Sequence, residues 1–369
     1  MKLILTGFSN SGKTTVFNAL TGQNLETTAY STSIAADVEP HHGIVKVPDA
    51  RIDKLVAIYE PKKTTYATVE YLDYLGITSG DTSQNVKVFN LLKDADAMVH
   101  VVRAFEDSSV IHPMKSVDTL RDVYSFEAEL ILGDLEFVEK RLKKIEDQLK
   151  RGKKPETADK DLLLKCKTAL EDEISLRDVE FNDEDKRQML PYQFLTAMQG
   201  IIVLNINESD INSDKVKEIQ QKIETFFKEK GKGIVPQILT LCGKIEMEIA
   251  QLPPDEAKEF LDELGIEEPA MKKLCHISYD ALGLISFLTA GKDEVRAWTI
   301  IKGLHAQQAA GKIHSDIERG FIRAETVSYD DFIDSDGDMV KAKEKGLLRQ
   351  EGKTYEIKDG DIINFKFNV

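Results

Sequence analysis

Short runs of apolar residues recur along the first third of the chain, separated by polar and charged stretches. Lys2-Leu3-Ile4-Leu5 reads as a strand, and Thr15 to Leu20 as a helix with Val16, Ala19 and Leu20 on its inner side. Ile44 to Val47 is a second strand, Arg51 to Tyr59 a short helix, and Ala67 to Leu72 a third strand running straight into Asp73. Ala97-Met98-Val99-His100-Val101-Val102 has the near-continuous apolar character of a parallel strand buried on both faces. Strands alternating with helices predict an α/β fold. The same pattern resumes much later, at Gly200 to Asn205 and at Ile234 to Leu241.

From Val117 to about Gln193 the period changes. Ile131, Leu135, Val138, Leu142, Ile145 and Leu149 advance by alternating steps of four and three, which is a heptad seam. Arg151-Gly152-Lys153-Lys154-Pro155 breaks it, and a returning helix carries Leu163, Cys166, Leu170 and Ile174. The pattern predicts an antiparallel coiled-coil hairpin inserted into the α/β domain. A third region begins near Gly283, where Asp359-Gly360 marks a tight turn between two alternating segments and predicts a small β-rich module. The expected organisation is a nucleotide-binding domain at 1–120 and 195–280, a helical insertion at 121–194 and a C-terminal module at 281–369.

Composition narrows the picture. A chain of 369 residues has room for two or three domains, and a net charge of −15 argues against wholesale binding to nucleic acid, DNA included. The exception is the hairpin tip, where Lys150, Arg151, Lys153 and Lys154 form a local candidate for contacting RNA phosphate. No run approaches the roughly twenty apolar residues of a membrane span, and no apolar leader precedes the first strand. With Cys166, Cys242 and Cys275 far apart and lacking metal-ligand spacing, the expectation is a cytoplasmic protein with reduced thiols and no membrane partner.

The chemistry is concentrated behind the first strand. Gly7 and Gly12-Lys13-Thr14 fit the spacing G-x-x-x-x-G-K-[ST], set between a strand and a helix. Backbone N–H groups of such a loop wrap a phosphate, helped by the helix dipole. Lys13 can neutralise the β- and γ-phosphates, and the Thr14 hydroxyl can ligate Mg²⁺. Asp73-Tyr74-Leu75-Gly76 has the D-x-x-G form at a strand end, so Asp73 can hold the metal through water and the Gly76 N–H can sense a γ-phosphate.

Asn205-Ile206-Asn207-Glu208 lies where a guanine-specific protein places N-K-x-D. The Lys stem that packs on the base is replaced by Ile206, and the carboxylate that accepts both guanine donors by a longer Glu208. Losing a buried paired acceptor costs roughly 2–5 kcal/mol, enough to remove a strong guanine preference. Adenine, with an N6 donor, can meet a backbone carbonyl or the Asn207 amide. Ile77 follows Gly76 where many GTPases carry a water-orienting Gln, and an aliphatic side chain cannot position water. His112, on a loop after the strand ending near Arg103, is a candidate substitute.

Together these motifs resemble the YchF family of Obg-related P-loop proteins, which prefer ATP over GTP. The resemblance spans essentially the whole chain. Its strongest part is C-terminal, at Glu294 to Ile300, Ala309 to His314 and Glu318 to Glu325, which is similar to the family's TGS domain. It implies a Mg²⁺-dependent ATPase that binds the ribosome through rRNA or ribosomal protein and acts in translation or stress responses, and with no arginine finger or Gln apparent in the chain its hydrolysis is expected to be slow. It further implies that Asn10, Ser11, Gly12, Lys13, Thr14 and Thr15 hold the phosphates, that Asn205 and Ile206 approach the adenine, and that His112 is catalytic. The family's switch-one threonine, a Mg²⁺ ligand, is replaced by Asp37 in Ala36-Asp37-Val38-Glu39-Pro40, with Thr32 nearby. The glycine-rich stretch after Gly76 becomes Thr78 to Asn85, with fewer glycines. Two other readings fit the residues: a non-catalytic, nucleotide-gated binding module, and a GTPase with a degenerate base motif.

Overall fold

The computed structural model describes residues 1–27, 39–151 and 160–368. β1 (Lys2–Thr6) leads through a loop into α1 (Lys13–Thr21), followed by β2 (His41–Lys46), α2 (Ala50–Tyr59), β3 (Lys63–Thr65) and β4 (Thr68–Asp73). Next come α3 (Thr82–Lys93), β5 (Ala97–Ala104), the long α4 (Thr119–Lys150), α5 (Lys160–Glu171) and α6 (Asp183–Met189). β6 (Gln199–Ile206), α7 (Asp214–Lys228), β7 (Gln237–Leu241), α8 (Gly243–Ile249), α9 (Pro254–Glu263) and α10 (Ala270–Ala281) complete this part of the chain.

These elements build a six-stranded sheet in the order β2-β4-β1-β5-β6-β7, with β4, β1, β5, β6 and β7 mutually parallel. All of β5 is buried, as its apolar run requires. Strand order reverses beside β1, and the crevice beyond the carboxyl ends at such a reversal is where open α/β sheets bind ligands. The heptad segment belongs to α4, whose 32 residues span about 48 Å. Asp118 caps it by accepting from the Arg121 N–H. Its first turns pack Phe126 and Leu130 into the core beside β1 and β5. Farther along, Val138, Leu142 and Ile145 close on Leu163, Cys166 and Leu170 of α5. Contacts of Lys167 with Glu139 and of Ser175 with Glu127 fix the return as antiparallel. Lys150 and Arg151 at the tip are exposed, whereas Lys153 and Lys154 lie outside the described residues.

By internal packing the chain divides into one unit of residues 1–43 and 70–274 and another of 44–69 and 275–369. The second unit contains β8 (Leu284–Ala290), β9 (Glu294–Ile301), α11 (Ala306–Ile313), α12 (Ser315–Arg319), β10 (Phe321–Val327), α13 (Tyr329–Ile333), α14 (Met339–Glu344), β11 (Arg349–Glu351) and β12 (Ile362–Phe367). Its sheet has the order β11-β10-β12-β8-β9-β3. The edge strand comes from far upstream: β3 runs parallel to β9, Arg51 of α2 pairs with Asp359, and Tyr59 stacks on Phe332.

The expected C-terminal hairpin does not form. β12 pairs antiparallel with β10 and parallel with β8, while Thr354 to Ile357 contributes only an isolated bridge at Glu356. The turn is drawn onto β8 instead, because Asp359 accepts from the Ser286 N–H and the Gly360 N–H donates to the Ser286 carbonyl.

Candidate nucleotide site

The loop between β1 and α1 is shaped by residues that tolerate left-handed backbone. Asn10 has φ 61° and Gly12 φ 92°, with Gly12 serving as the N-cap of α1. A β-carbon on Gly12 would fall on the Asn205 amide, so the position has no room for a side chain. Gly76 is similarly confined: a β-carbon there would lie 2.7 Å from the Ser9 nitrogen and 2.8 Å from the Lys13 ammonium. Gly76 therefore brings its backbone against the loop, and the Ile77 N–H donates to the Gly7 carbonyl.

Lys13 is buried and its ammonium donates to the Phe8 carbonyl at 3.0 Å. Burial pulls its pKa down to about 8, opposed by the nearby Asp73 carboxylate. The Thr14 hydroxyl donates to Asp73 Oδ2 at 2.8 Å, so two sequence-expected metal ligands are brought together. Asp73 Oδ1 is buried with no hydrogen-bond partner, and burial pushes the Asp73 pKa up. A partly buried hydroxyl–carboxylate pair with an orphaned carboxylate oxygen suits a hard divalent cation, which takes one or two protein ligands and completes its shell with phosphate and water. Asp37 and Thr32 lie outside the described residues.

A cleft of about 500 Å³ opens above these groups, lined by Asn10, Gly12, Lys13, Thr14, Thr15, Asp73 and Gly76 on the phosphate side. The other side is formed by Phe105, Lys244 and Met247, which the sequence reading missed. They carry no motif spacing, and only the fold brings the end of β5 against α8. The Arg103 guanidinium stacks over Phe105 at 4.5 Å and donates to the carbonyls of Phe105, Asp107 and Val110, binding that loop into one piece.

The residues of the base motif stand behind the cleft rather than in its lining. Asn205 donates to the Ser11 carbonyl and accepts from the Gly243 N–H, tying the phosphate loop to α8. Ile206 is buried with Ala104, Val216 and Ile245. Asn207 exchanges two hydrogen bonds with the backbone of Glu106. Glu208 is exposed on the following turn. Ile77 is fully buried in the core and faces away from the cleft.

His112 is also buried, and it is not among the residues lining the cleft. The Met114 N–H donates to its Nδ1 at 3.1 Å, which leaves the ring proton on Nε2, directed at Asp122 Oδ2 at 2.9 Å. Burial lowers its pKa despite the adjacent Asp122. Its loop touches the phosphate loop directly, because the Asn10 amide donates to the Ile111 carbonyl at 2.9 Å.

A phosphate loop at the carboxyl end of a central parallel strand, faced by a D-x-x-G turn, defines a P-loop nucleoside triphosphatase. Residues 2–132 match a family model described as 50S ribosome-binding GTPase, and residues 284–368 match the YchF GTPase C-terminal model, described as a protein of unknown function. The chain belongs to the YchF family. It is 40% identical over 368 residues to the ribosome-binding ATPase YchF of Bacillus subtilis (strain 168), covering 99% of this chain and 98% of that one. It is 37% identical over 372 residues to the protein of the same name from Escherichia coli O157:H7, again covering 99% and 98%. A solved structure, that of the Schizosaccharomyces pombe YchF GTPase, matches with a TM-score of 0.82 at 29% identity, covering 99% of this chain and 97% of that one. Among the described residues no helix is long and apolar enough to cross a membrane, and Cys166, Cys242 and Cys275 are buried and joined in no disulfide.

Proposed function

We propose that the protein binds ATP with Mg²⁺ in the cleft above β1, hydrolyses it slowly, and works on the ribosome in the cytoplasm. The observation that carries the reading is the phosphate loop with Lys13 and the touching Thr14–Asp73 pair at its base. Asn10 to Thr15 wrap the phosphates with backbone N–H groups, and Lys13 neutralises them. Thr14 and Asp73 hold the cation, with Asp37 a further candidate ligand. Bound there, Mg²⁺ offsets charge on the β- and γ-phosphates. The Gly76 N–H reports the γ-phosphate.

Adenine rests between Phe105 and Met247. Asn205, Ile206 and Asn207 act from behind, by fixing the phosphate loop, α8 and the Phe105 loop. The bacterial relatives are named ATPases, whereas the S. pombe protein is named a GTPase. The exposed Glu208 and buried Ile206 leave this cleft without the lysine stem and carboxylate that recognise guanine, which favours ATP.

In hydrolysis the water oxygen bonds to the γ-phosphorus while the β–γ bridging bond breaks, and its electron pair leaves with ADP. His112 accepts the proton lost by the water, since Ile77 cannot orient it. The relatives' names supply the ribosome as partner, contacted through the basic hairpin tip and the C-terminal module of residues 281–369, read as a TGS domain.

Lys13→Ala should abolish ATP binding in a calorimetric titration. His112→Ala should leave that affinity intact and reduce turnover by on the order of 10²–10³-fold, the usual contribution of a positioned general base. Unchanged turnover in the His112 variant would remove the residue from the chemistry.

A further inference from the structure

We infer that Asp122, in the first turn of α4, is a positioning residue that stores His112 in a catalytically silent state. The inference rests on the proposed catalytic role of His112 and goes beyond it, because it names what holds turnover down.

A histidine serves as a general base only through a nitrogen lone pair that reaches the attacking water. Here neither ring nitrogen offers one. Nδ1 accepts from the Met114 N–H, and Nε2–H is directed at Asp122 Oδ2. The arrangement differs from a relay in which a carboxylate orients a histidine whose second nitrogen faces the reactant. The side chains of His112 and Asp122 are 5% and 2% exposed, so the pair is shut away from solvent as well as from the cleft lining.

Asp122 is itself fixed. Arg121 donates to its second oxygen through Nε and Nη2, at 3.0 and 2.7 Å, and the same guanidinium holds the Ser116 carbonyl of the His112 loop. The loop is pinned at its other end by Asn10, from within the phosphate loop. His112 is therefore gripped between α4 and the nucleotide loop. Turning the ring toward a water on the γ-phosphate requires breaking the bond to Asp122.

The same helix face also holds the segment after D-x-x-G. Glu129, two turns beyond Asp122, accepts from the Gly80 N–H and from the Asn85 amide. The helix that continues into the coiled-coil arm thus holds both the histidine loop and the loop that follows Gly76. A displacement of α4 by a partner of the arm would loosen the two together.

The test is steady-state hydrolysis of saturating Mg·ATP by the full-length chain and its D122A, D122N, H112A and D122A/H112A variants. ¹⁵N chemical shifts of the His112 ring report its tautomer alongside. Storage requires D122A to hydrolyse faster than the unaltered protein, on the order of tenfold, the population released by losing one charge-assisted hydrogen bond. The isosteric D122N, whose neutral amide still accepts from Nε2–H, should fall between them, and D122A/H112A should match H112A. The ring should change from a single Nε2–H tautomer to an averaged one in D122A. A D122A or D122N rate at or below the unaltered rate, with H112A impaired, would overturn storage, and a rate below it would make Asp122 an activator of His112. An H112A variant with full turnover would instead overturn the catalytic reading on which storage depends.

Discussion

Lys13 sits where burial and charge oppose each other. Enclosure draws its pKa down to about 8, and Asp73 opposes the fall. Near pH 8 about half of the free protein therefore lacks the ammonium charge. An anionic triphosphate favours the charged form, so binding should take up about half a proton at pH 8, less at pH 7, and weaken as pH rises further. Titrations in buffers of different ionisation enthalpy would measure the uptake, and no uptake at pH 8 would contradict the placement of Lys13 against the phosphates. Much of this site is legible in the chain, because Gly12, Lys13, Thr14, Asp73 and Gly76 are demanded by chemistry at fixed spacing. Phe105, Lys244 and Met247 are not, since a side chain lining one wall of a cleft needs no sequence neighbour of any type. His112 is legible as a candidate, but its paired ring nitrogens are not, because Asp122 reads as one more acid at a helix start.

At the scale of elements, α4 joins the arm to the nucleotide domain. Asp122, Phe126 and Glu129 follow at steps of four and three, which puts them on one helix face. They touch the His112 loop, the His100 ring and the segment after Gly76 respectively. The heptad seam lies on a different face of the same helix, where Val138, Leu142 and Ile145 pack into the hairpin, and this hydrophobic part is what the sequence spacing predicts. The C-terminal strands show the opposite case. Local alternation around Asp359-Gly360 favours a hairpin, but Ser286 and Arg51 compete for the turn from distant positions and prevail. β3 is equally hidden, a strand of three residues made stable only by β9. Leu163→Ala removes a fully buried side chain from the hairpin core, remote from the phosphate loop. It should cost about 2–5 kcal/mol in denaturant unfolding while leaving ATP affinity unchanged. A loss of affinity of similar size would show that arm packing reaches the nucleotide site.

At the scale of the whole molecule, two units each possess their own sheet and core, and the first contains the described residues of the candidate phosphate site together with the arm. The chain is strongly acidic, with a net charge of −15, so contact with an RNA-rich particle depends on local patches rather than on overall attraction. The arm tip, where Lys150 and Arg151 stand exposed, is the patch that the proposed ribosome contact would use. Central to the proposed function is that this cleft selects adenine, because the groups that recognise guanine are replaced at Ile206 and Glu208. The most direct test is a calorimetric titration of the purified protein with ATP and with GTP, each with Mg²⁺. ATP should bind at least about tenfold more tightly, a difference near 1.4 kcal/mol. Tighter binding of GTP would contradict adenine selection and assign guanine recognition to another segment of the chain.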